Sequence, residues 1–254
     1  MKLEIDTERE TVVVRTPHGD MTLPLYSNEA FTTITNQWLR VGWNEKYVYT
    51  FTWLGRPIIQ LPDDLVRMQE VIYRVRPDVI IETGVAHGGS LVFYASLCKV
   101  LGRGRVIGID VEIRPHNRAA IESHELSSYI TLVEGNSVHP SVVSHVKGLI
   151  RQAETGLVVL DSSHSKEHVA QELEAYHELV GQGSYIVATD GIMQDLADVP
   201  RGNPAWREDN PAVAAIEFAH RHPEFTLEQP PWPFNESQLD ANITHWPSGW
   251  LRKR

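Results

Sequence analysis

The chain has 254 residues, 42% of them hydrophobic, and a formal net charge of −10. This length is enough for one large domain with attached segments. The acidic balance, without any basic block, argues against a general nucleic-acid binder. The one cysteine, Cys98, excludes an intrachain disulfide framework. The charged start contains no apolar signal segment, and no apolar run is long enough to cross a membrane, so we expect a cytoplasmic protein.

Three regions follow one another along the chain. Residues 1–25 are predicted to form a β-hairpin arm, which would pack on the core or contact another copy in a homo-oligomer. Residues 26–60 form an aromatic-rich cap segment, for which we expect short helical pieces. Residues 61–254 form the core, and its residues 191–211, rich in proline and glycine, are expected to act as a lid.

The core alternates short apolar runs with helical patterns. The predicted strands are 79–82, 105–110, 129–134, 157–161 and 185–190. Continuous apolar strands separated by helices indicate a parallel sheet covered on both faces. We therefore predict an α/β fold with a doubly wound, mostly parallel sheet, whose ligands bind at the carboxyl ends of the strands. Residues 242–244 and 250–251 are expected to close the sheet as an antiparallel pair.

The first predicted core strand leads into a glycine-rich turn and a helix. Gly84 allows close backbone approach to a ligand, and Ser90 is expected to cap the helix. Only part of the dinucleotide fingerprint is present, because alanine stands at its second glycine position. Glu82, at the predicted strand end, would repel a pyrophosphate but would suit an ammonium or a sulfonium. S-adenosylmethionine (SAM) is a ligand of that kind.

Carboxylates are predicted at the ends of all five core strands: Glu82, Asp110, Glu134, Asp161 and Asp190. Such an edge needs cationic or hydrogen-bond-donating partners, or a metal ion. Asp110 stands where a ribose-binding acid is expected. Asn136 and Ser137, which follow the third strand, are placed to contact an adenine edge. An ordinary loop and a helix cap are the structural alternatives for these residues.

A further group of polar residues follows the fourth strand. Asp161 can ligate a divalent cation together with Asp190, and oxygen ligands favour Mg²⁺. His164 can accept a proton from a hydroxyl group. His164, Glu167 and His168 also match the inverted zinc-peptidase signature, which would put both histidines on one helix face. A helix cap with a surface histidine remains another interpretation.

Several motifs together resemble one known family, over roughly residues 50–254. The sequence resembles the cephalosporin hydroxylase/rhamnosyl O-methyltransferase family in the following runs: Thr52-Trp53-Leu54-Gly55, Gln60-Leu61-Pro62-Asp63-Asp64, Arg76-Pro77-Asp78, Glu82-Thr83-Gly84, Gly88-Gly89-Ser90, Asp161-Ser162-Ser163-His164, Glu167-His168-Val169, Gly183-Ser184-Tyr185-Ile186-Val187, Asn210-Pro211-Ala212-Val213 and Gly249-Trp250-Leu251.

The resemblance implies a class I SAM-dependent methyltransferase fold and O-methylation of a sugar in a natural product or sugar nucleotide, often with Mg²⁺. It implies Asp161 and Asp190 as metal ligands and His164 as general base. The family's additional glutamate ligand falls on Thr189, so the ion would be held differently, for instance with Asp195, or not at all. The implied cofactor contacts are Glu82, Gly84, Ser90, Asp110, Asn136 and Ser137.

Two other functions stay open at this point. One is an NAD(P)-dependent oxidoreductase on the same kind of sheet. The other is a metal-independent or non-catalytic relative, in which Thr189 marks lost chemistry.

Overall fold

The computed structural model describes residues 2–254 and is built around a seven-stranded sheet. The sheet order is β11-β12-β10-β9-β6-β7-β8, in which β6 to β10 run parallel and β12 runs antiparallel to both β10 and β11. The predicted doubly wound, mostly parallel sheet is therefore confirmed. Within the described residues, no helix is long and apolar enough to cross a membrane.

The elements have the following bounds. The strands are β1 (Lys2–Asp6), β2 (Thr11–Thr16), β3 (Gly19–Pro24), β4 (Thr52–Trp53), β5 (Arg56–Pro57), β6 (Val79–Thr83), β7 (Arg105–Asp110), β8 (Ile130–Glu134), β9 (Gly156–Leu160), β10 (Tyr185–Ala188), β11 (Phe225–Leu227) and β12 (Trp250–Lys253). The α-helices are α1 (Asn28–Asn44), α2 (Pro62–Val75), α3 (Gly89–Leu101), α4 (Pro115–Glu122), α5 (Pro140–Leu149), α6 (Lys166–Tyr176) and α7 (Pro211–Arg221).

The sheet separates two layers of buried apolar side chains, because successive residues of a strand point to opposite faces. In β6, Ile80 faces the layer that holds α2 and α3, whereas Val79 and Ile81 face the layer that holds α6 and α7. All five residues of β6 are buried. Burial on both faces explains why the core strands are continuous apolar runs in the sequence.

The chain order reverses between β6 and β9. From β6 the chain proceeds outward through β7 and β8, and it then returns to place β9 on the other side of β6. In open α/β sheets, ligands bind at the carboxyl ends of the strands beside such a reversal. The tight approach of the two strand ends is visible at Gly84, where a β-carbon would lie 2.0 Å from the Asp161 carbonyl oxygen.

The N-terminal region differs from the expected hairpin. A third strand, β1, pairs antiparallel with β2, so that the three strands form a separate sheet in the order β1-β2-β3. Met1 of the predicted arm lies outside the described residues. The predicted hairpin is present as β2 and β3. In the cap segment, one long helix of 17 residues, α1, stands where short pieces were expected, and the one short helical piece is the 3-10 turn Tyr47–Thr50. Helix α1 is capped by Ser27, whose hydroxyl accepts a hydrogen bond from the backbone N–H of Ala30.

The predicted closing pair was half right. Residues 250–253 form β12, which fills the position between β10 and β11, but residues 242–244 form no strand. That segment is instead held by side chains, since the carboxylate of Asp64 accepts hydrogen bonds from the Thr244 hydroxyl and the His245 backbone N–H. The predicted lid region contains two short 3-10 turns, Gly191–Asp195 and Pro204–Arg207.

Candidate functional site

A cavity of about 350 Å³ opens at the chain reversal, beside the carboxyl ends of β6, β7 and β9. We call it the switch-point cavity. Its lining residues are Gly84, Ala86, Ile109, Asp110, Val111, Asn136, Ser137, Asp161, Ser162, Ser163 and His168. Its volume lies within the range of small-molecule sites. Four of the six predicted cofactor residues, namely Gly84, Asp110, Asn136 and Ser137, line it.

The turn after β6 is held open by Asp110. One oxygen of its carboxylate accepts hydrogen bonds from the backbone N–H groups of Val85 (2.8 Å) and Ala86 (3.2 Å). The other oxygen accepts one from the backbone N–H of Glu112 (3.2 Å). Asp110 thus fixes the glycine turn that forms one wall of the cavity. Each carboxylate oxygen has a second lone pair, so Asp110 can also accept from ligand hydroxyls.

Glu82 and Ser90 are not among the residues that line the switch-point cavity. Glu82 lies within β6, is completely buried, and accepts a hydrogen bond from the Ser90 hydroxyl (2.6 Å). The expected helix cap was wrong, because Gly88 occupies the N-cap position and Ser90 lies inside α3. Burial, reinforced by the nearby charge of Asp161, raises the pKa of Glu82 well above its usual value. Its Oε1 atom has no hydrogen-bond partner among residues 2–254.

Ser137 and Ser162 share one buried acceptor. Both hydroxyls donate to the same oxygen of Glu172, at 2.5 and 2.7 Å, and Glu172 is completely inaccessible to solvent. His168 lies 3.3 Å from that oxygen, and this contact raises the pKa of the imidazole. The wall of the cavity is therefore supported by a carboxylate on α6. The sequence interpretation missed this contribution of Glu172.

Asp161, which lines the switch-point cavity, lies in a cluster with His164 and Asp190. One potential ligand atom of each residue lies within 4.8 Å of the others, which is close enough for a shared metal ion. The Nε2 atom of His164 lies 3.4 Å from an Asp190 oxygen. The sequence prediction that β9 and β10 deliver these three side chains to one place is thus matched by their positions. Asp195, the alternative ligand, is exposed and lies outside this group.

The carboxylate of Asp161 is held from both sides. Gln60 donates to one oxygen (2.8 Å), and the Thr189 hydroxyl lies 2.6 Å from the other. Burial, followed by the repulsion of the Asp190 carboxylate, raises the pKa of Asp161 to about 7. Gln60 lies in a motif that the resemblance relied on, but its role at Asp161 was not foreseen.

Asp190 occupies an unusual backbone conformation. Its φ of 57° and ψ of 23° lie in the left-handed region, which a residue with a β-carbon adopts only at a cost. This conformation starts the 3-10 turn after β10. Such strain typically persists only where the surroundings enforce it, and it is concentrated at functional sites.

The inverted zinc-peptidase interpretation was wrong. His164 precedes α6, which begins at Lys166, so the two histidines of the motif do not lie on one helix face. His164 faces Asp190, whereas His168 faces Glu172. The predicted strand-end carboxylates also separate, because Glu134 pairs with Arg118 at 2.8 Å on the outer strand of the sheet.

A second cavity lies on the other side of Asp190. We call it the aromatic cavity, and its lining residues are Trp43, Lys46, Val48, Tyr49, Ile59, Asp190, Arg201, Trp206 and His245. The ring of Trp43 packs edge-on against Trp206 (6.4 Å between centroids) and His245 (5.4 Å). Burial lowers the pKa of His245. Asp190 thus lines the aromatic cavity, whereas Asp161, which has a ligand atom within 4.8 Å of one of Asp190, lines the switch-point cavity.

The residues fit the groups that the fold implies. The switch-point cavity offers a ribose-type acceptor in Asp110, small polar groups in Asn136 and Ser137, and the apolar surface of Ile109. For a metal ion, Asp161 and Asp190 offer oxygen donors, which Mg²⁺ prefers, and His164 lies beside them. Thr189 contributes a neutral hydroxyl next to this group instead of a further carboxylate.

The sheet order, the reversal at β6 and β9 and the acidic group beside it define a class I methyltransferase fold. The model of the rhamnosyl O-methyltransferase/CmcI family matches residues 45–254. The chain belongs to this family. The family resemblance read from the sequence motifs is therefore confirmed.

The similar proteins include two named rhamnosyl O-methyltransferases. That of Mycobacterium leprae is 26% identical over 154 residues, which are 60% of this chain and 65% of the relative. That of Mycobacterium tuberculosis H37Rv is 26% identical over 168 residues, which are 65% of this chain and 66% of the relative. The chain thus matches just under two thirds of the length of these relatives.

Solved structures support the fold assignment. A structure of CmcI with Mg and SAM superposes with a TM-score of 0.55 at 20% sequence identity, covering 81% of this chain and 77% of that chain. A structure of CmcI without ligand gives a TM-score of 0.53 at the same identity. At this identity the likeness defines the fold alone.

Proposed function

We propose that the protein is a SAM-dependent O-methyltransferase that methylates a hydroxyl group of a sugar, in a glycosylated natural product or a sugar nucleotide. The observation that carries this proposal is the cluster of Asp161, His164 and Asp190, in which Asp161 lines the switch-point cavity and Asp190 lines the aromatic cavity. Such a position lets one side bind the methyl donor and the other bind the acceptor. Membership of the rhamnosyl O-methyltransferase/CmcI family supports the same activity.

The switch-point cavity is the proposed cofactor site. Asp110 would accept hydrogen bonds from the ribose hydroxyls, and Asn136 and Ser137 would contact the adenine. Gly84 brings the backbone close to the cofactor, and Glu82 and Ser90 support the turn from behind. SAM supplies an electrophilic methyl group, so the protein's task is to place the acceptor oxygen in line and to remove its proton.

His164 is the proposed general base. Its imidazole is oriented by Asp190, and an acceptor hydroxyl in the aromatic cavity would approach it past that carboxylate. Asp161 and Asp190 would hold a divalent cation such as Mg²⁺, which lowers the pKa of a bound hydroxyl and orients it. Gln60 and Thr189 hold Asp161 in place for this purpose.

Calorimetric titration with SAM and with NAD tests the proposal directly. We expect saturable binding of SAM and none of NAD. Mass spectrometry of candidate glycosides after incubation with SAM should then detect the mass of one added methyl group. Saturation by NAD without any heat from SAM would favour the oxidoreductase alternative and overturn this proposal.

A further inference from the structure

Two cationic side chains line the aromatic cavity, and neither has a role in the proposed binding of the cofactor. Lys46 and Arg201 line it together with Trp43, Tyr49 and Asp190. The chain as a whole has a net charge of −10, so two cationic side chains on one cavity are opposite in sign to the overall charge. The described part of the chain forms no ion pair with either residue, whereas nearby Arg40 is paired with Asp198 at 2.9 Å.

The two cations are brought together by specific backbone features. Lys46 follows α1 in the left-handed conformation, with a φ of 57°, and its ammonium group lies 5.2 Å from the centre of the Tyr49 ring. Arg201 belongs to the lid region, and its backbone N–H donates to the side-chain oxygen of Asn44 (3.2 Å). This hydrogen bond ties the lid to the end of α1. Both side chains therefore lie on the wall of one cavity, although 155 positions separate them in the sequence.

The other lining residues favour a sugar ring. Trp43, Tyr49 and Trp206 offer apolar ring surfaces, and burial lowers the pKa of His245, which favours its neutral form. A neutral imidazole can accept or donate one hydrogen bond at a hydroxyl group. A ligand in this cavity thus meets aromatic rings, the imidazole of His245, two cationic side chains and the carboxylate of Asp190.

We infer that the acceptor of this enzyme is an anionic glycoside, whose phosphate or carboxylate group is bound by Lys46 and Arg201 while one of its sugar hydroxyls reaches Asp190 and His164. This inference rests on the proposed methyltransferase function and assigns its substrate class. Arginine and lysine both bind phosphates and carboxylates through charge-assisted hydrogen bonds. Lys46 and Arg201 are both exposed where they line the cavity, so an anionic group of the ligand can reach both of them.

Binding of sugar probes, followed by tryptophan fluorescence, tests the inference without any turnover. The probes are UDP-glucose, glucuronic acid and methyl glucoside, which carry a diphosphate, a carboxylate and no charge. We expect at least one anionic probe to bind about tenfold or more tightly than methyl glucoside, since hydrogen bonds to charged groups have about this effect. Which anionic probe binds better distinguishes a sugar nucleotide from a uronic acid.

Three variants locate the binding. Lys46→Met and Arg201→Met should each weaken binding of the preferred anionic probe about tenfold, and the double variant should abolish the preference over methyl glucoside. Lys99→Met is the matched control, because Lys99 is an exposed lysine of α3 and should leave binding unchanged. Binding should also weaken as salt concentration rises.

Equal affinity for all three probes, no binding of either anionic probe, or full binding in the double variant would overturn the inference. The proposed methyltransferase function is tested separately, by calorimetric titration of the same preparations with SAM. A protein that binds SAM and methylates a neutral glycoside as well as a charged one keeps its function but loses the assigned substrate class.

Discussion

The hydroxyl group of Thr189 lies 2.6 Å from a carboxylate oxygen of Asp161 and 2.9 Å from the carbonyl oxygen of Leu160. One hydroxyl proton can serve only one of these two acceptors. If Asp161 is protonated, it donates to Thr189, which donates in turn to Leu160, and every group is satisfied. The raised pKa of Asp161, about 7, agrees with this arrangement. The Thr189 hydroxyl can therefore pair with Asp161 in either charge state, because it can donate to the carboxylate or accept from the neutral acid.

Replacing Thr189 by glutamate should strengthen binding of a divalent cation. The added carboxylate would stand beside Asp161 and Asp190, and affinity for hard cations rises with the number of charged ligands. We expect about a tenfold gain in affinity for Mg²⁺ or Mn²⁺ by calorimetry. Thr189→Val, which has nearly the same size but no ligand atom, is the control and should show no gain. Unchanged affinity in a folded Thr189→Glu variant would mean that position 189 does not reach the ion.

His164→Ala should lower kcat by about a hundredfold or more, because general bases contribute on the order of 10²–10⁴ to such reactions. Binding of SAM should be spared, since His164 does not line the switch-point cavity. Initial-rate assays and SAM calorimetry on the same protein measure both effects. His18→Ala, at an exposed histidine in the turn between β2 and β3, is the matched control. Full turnover in His164→Ala would remove this residue from the mechanism.

Chelation of divalent cations should slow the reaction. Dialysis against EDTA should lower kcat/KM, and Mg²⁺ should restore it, because Asp161 and Asp190 lie close enough to share an ion. Asp190→Asn should have low activity that responds to neither treatment. Full activity of the wild type in metal-free buffer would assign these carboxylates to acceptor binding alone.

Gly84→Ala should be strongly destabilising and should abolish SAM binding. The position has a φ of +90°, and a β-carbon there would lie 2.0 Å from the Asp161 carbonyl oxygen, so the ends of β6 and β9 would have to separate. Gly183→Ala is the matched control, with a φ of +77° and nothing within 4 Å of the new atom. The control should lose about 1–2 kcal/mol from backbone strain, and overpacking should cost Gly84→Ala about 1–3 kcal/mol more. Urea unfolding measures both, and equal losses would contradict the predicted clash.

Asp64 should make the folded state less stable as pH rises. Burial raises its pKa from 3.8 to about 8, so between these values the folded protein holds a proton that the unfolded chain has released. Stability from this group is complete below the unfolded pKa and is lost as pH approaches the folded one. Asp64→Asn should make this slope shallower, whereas Asp63→Asn, at the exposed neighbour, should keep it. Urea unfolding at about pH 5 and about pH 8 checks the prediction, which an identical slope in Asp64→Asn and wild type would refute.

The elements of the sheet could be predicted because burial on both faces makes each strand a continuous apolar run. The meeting of Asp161 and Asp190 was predictable for a related reason, since parallel neighbouring strands end at the same edge. Strand bounds fix such positions to within a residue or two. The direction of each side chain was harder to predict. Glu82 in β6 points into the protein interior and does not line the cavity.

Other features depended on contacts between distant parts of the chain. The single helix α1 contains threonine, asparagine, valine and tryptophan, which have modest helix propensity, and its helical state relies on packing. No local pattern marks Lys46, Arg201 or His245 as neighbours, because each belongs to a different segment of the chain that lines the cavity. The hydrogen bond from Arg201 to Asn44 joins residues 157 positions apart, and no sequence pattern in either segment predicts it.

The left-handed backbone at Asp190 costs conformational free energy in the folded state. Glycine adopts this conformation without penalty, so a glycine here would relax the turn after β10. It would also delete the carboxylate that lines the aromatic cavity. Selection for stability alone would therefore favour glycine at this position, whereas the proposed metal binding requires the aspartate.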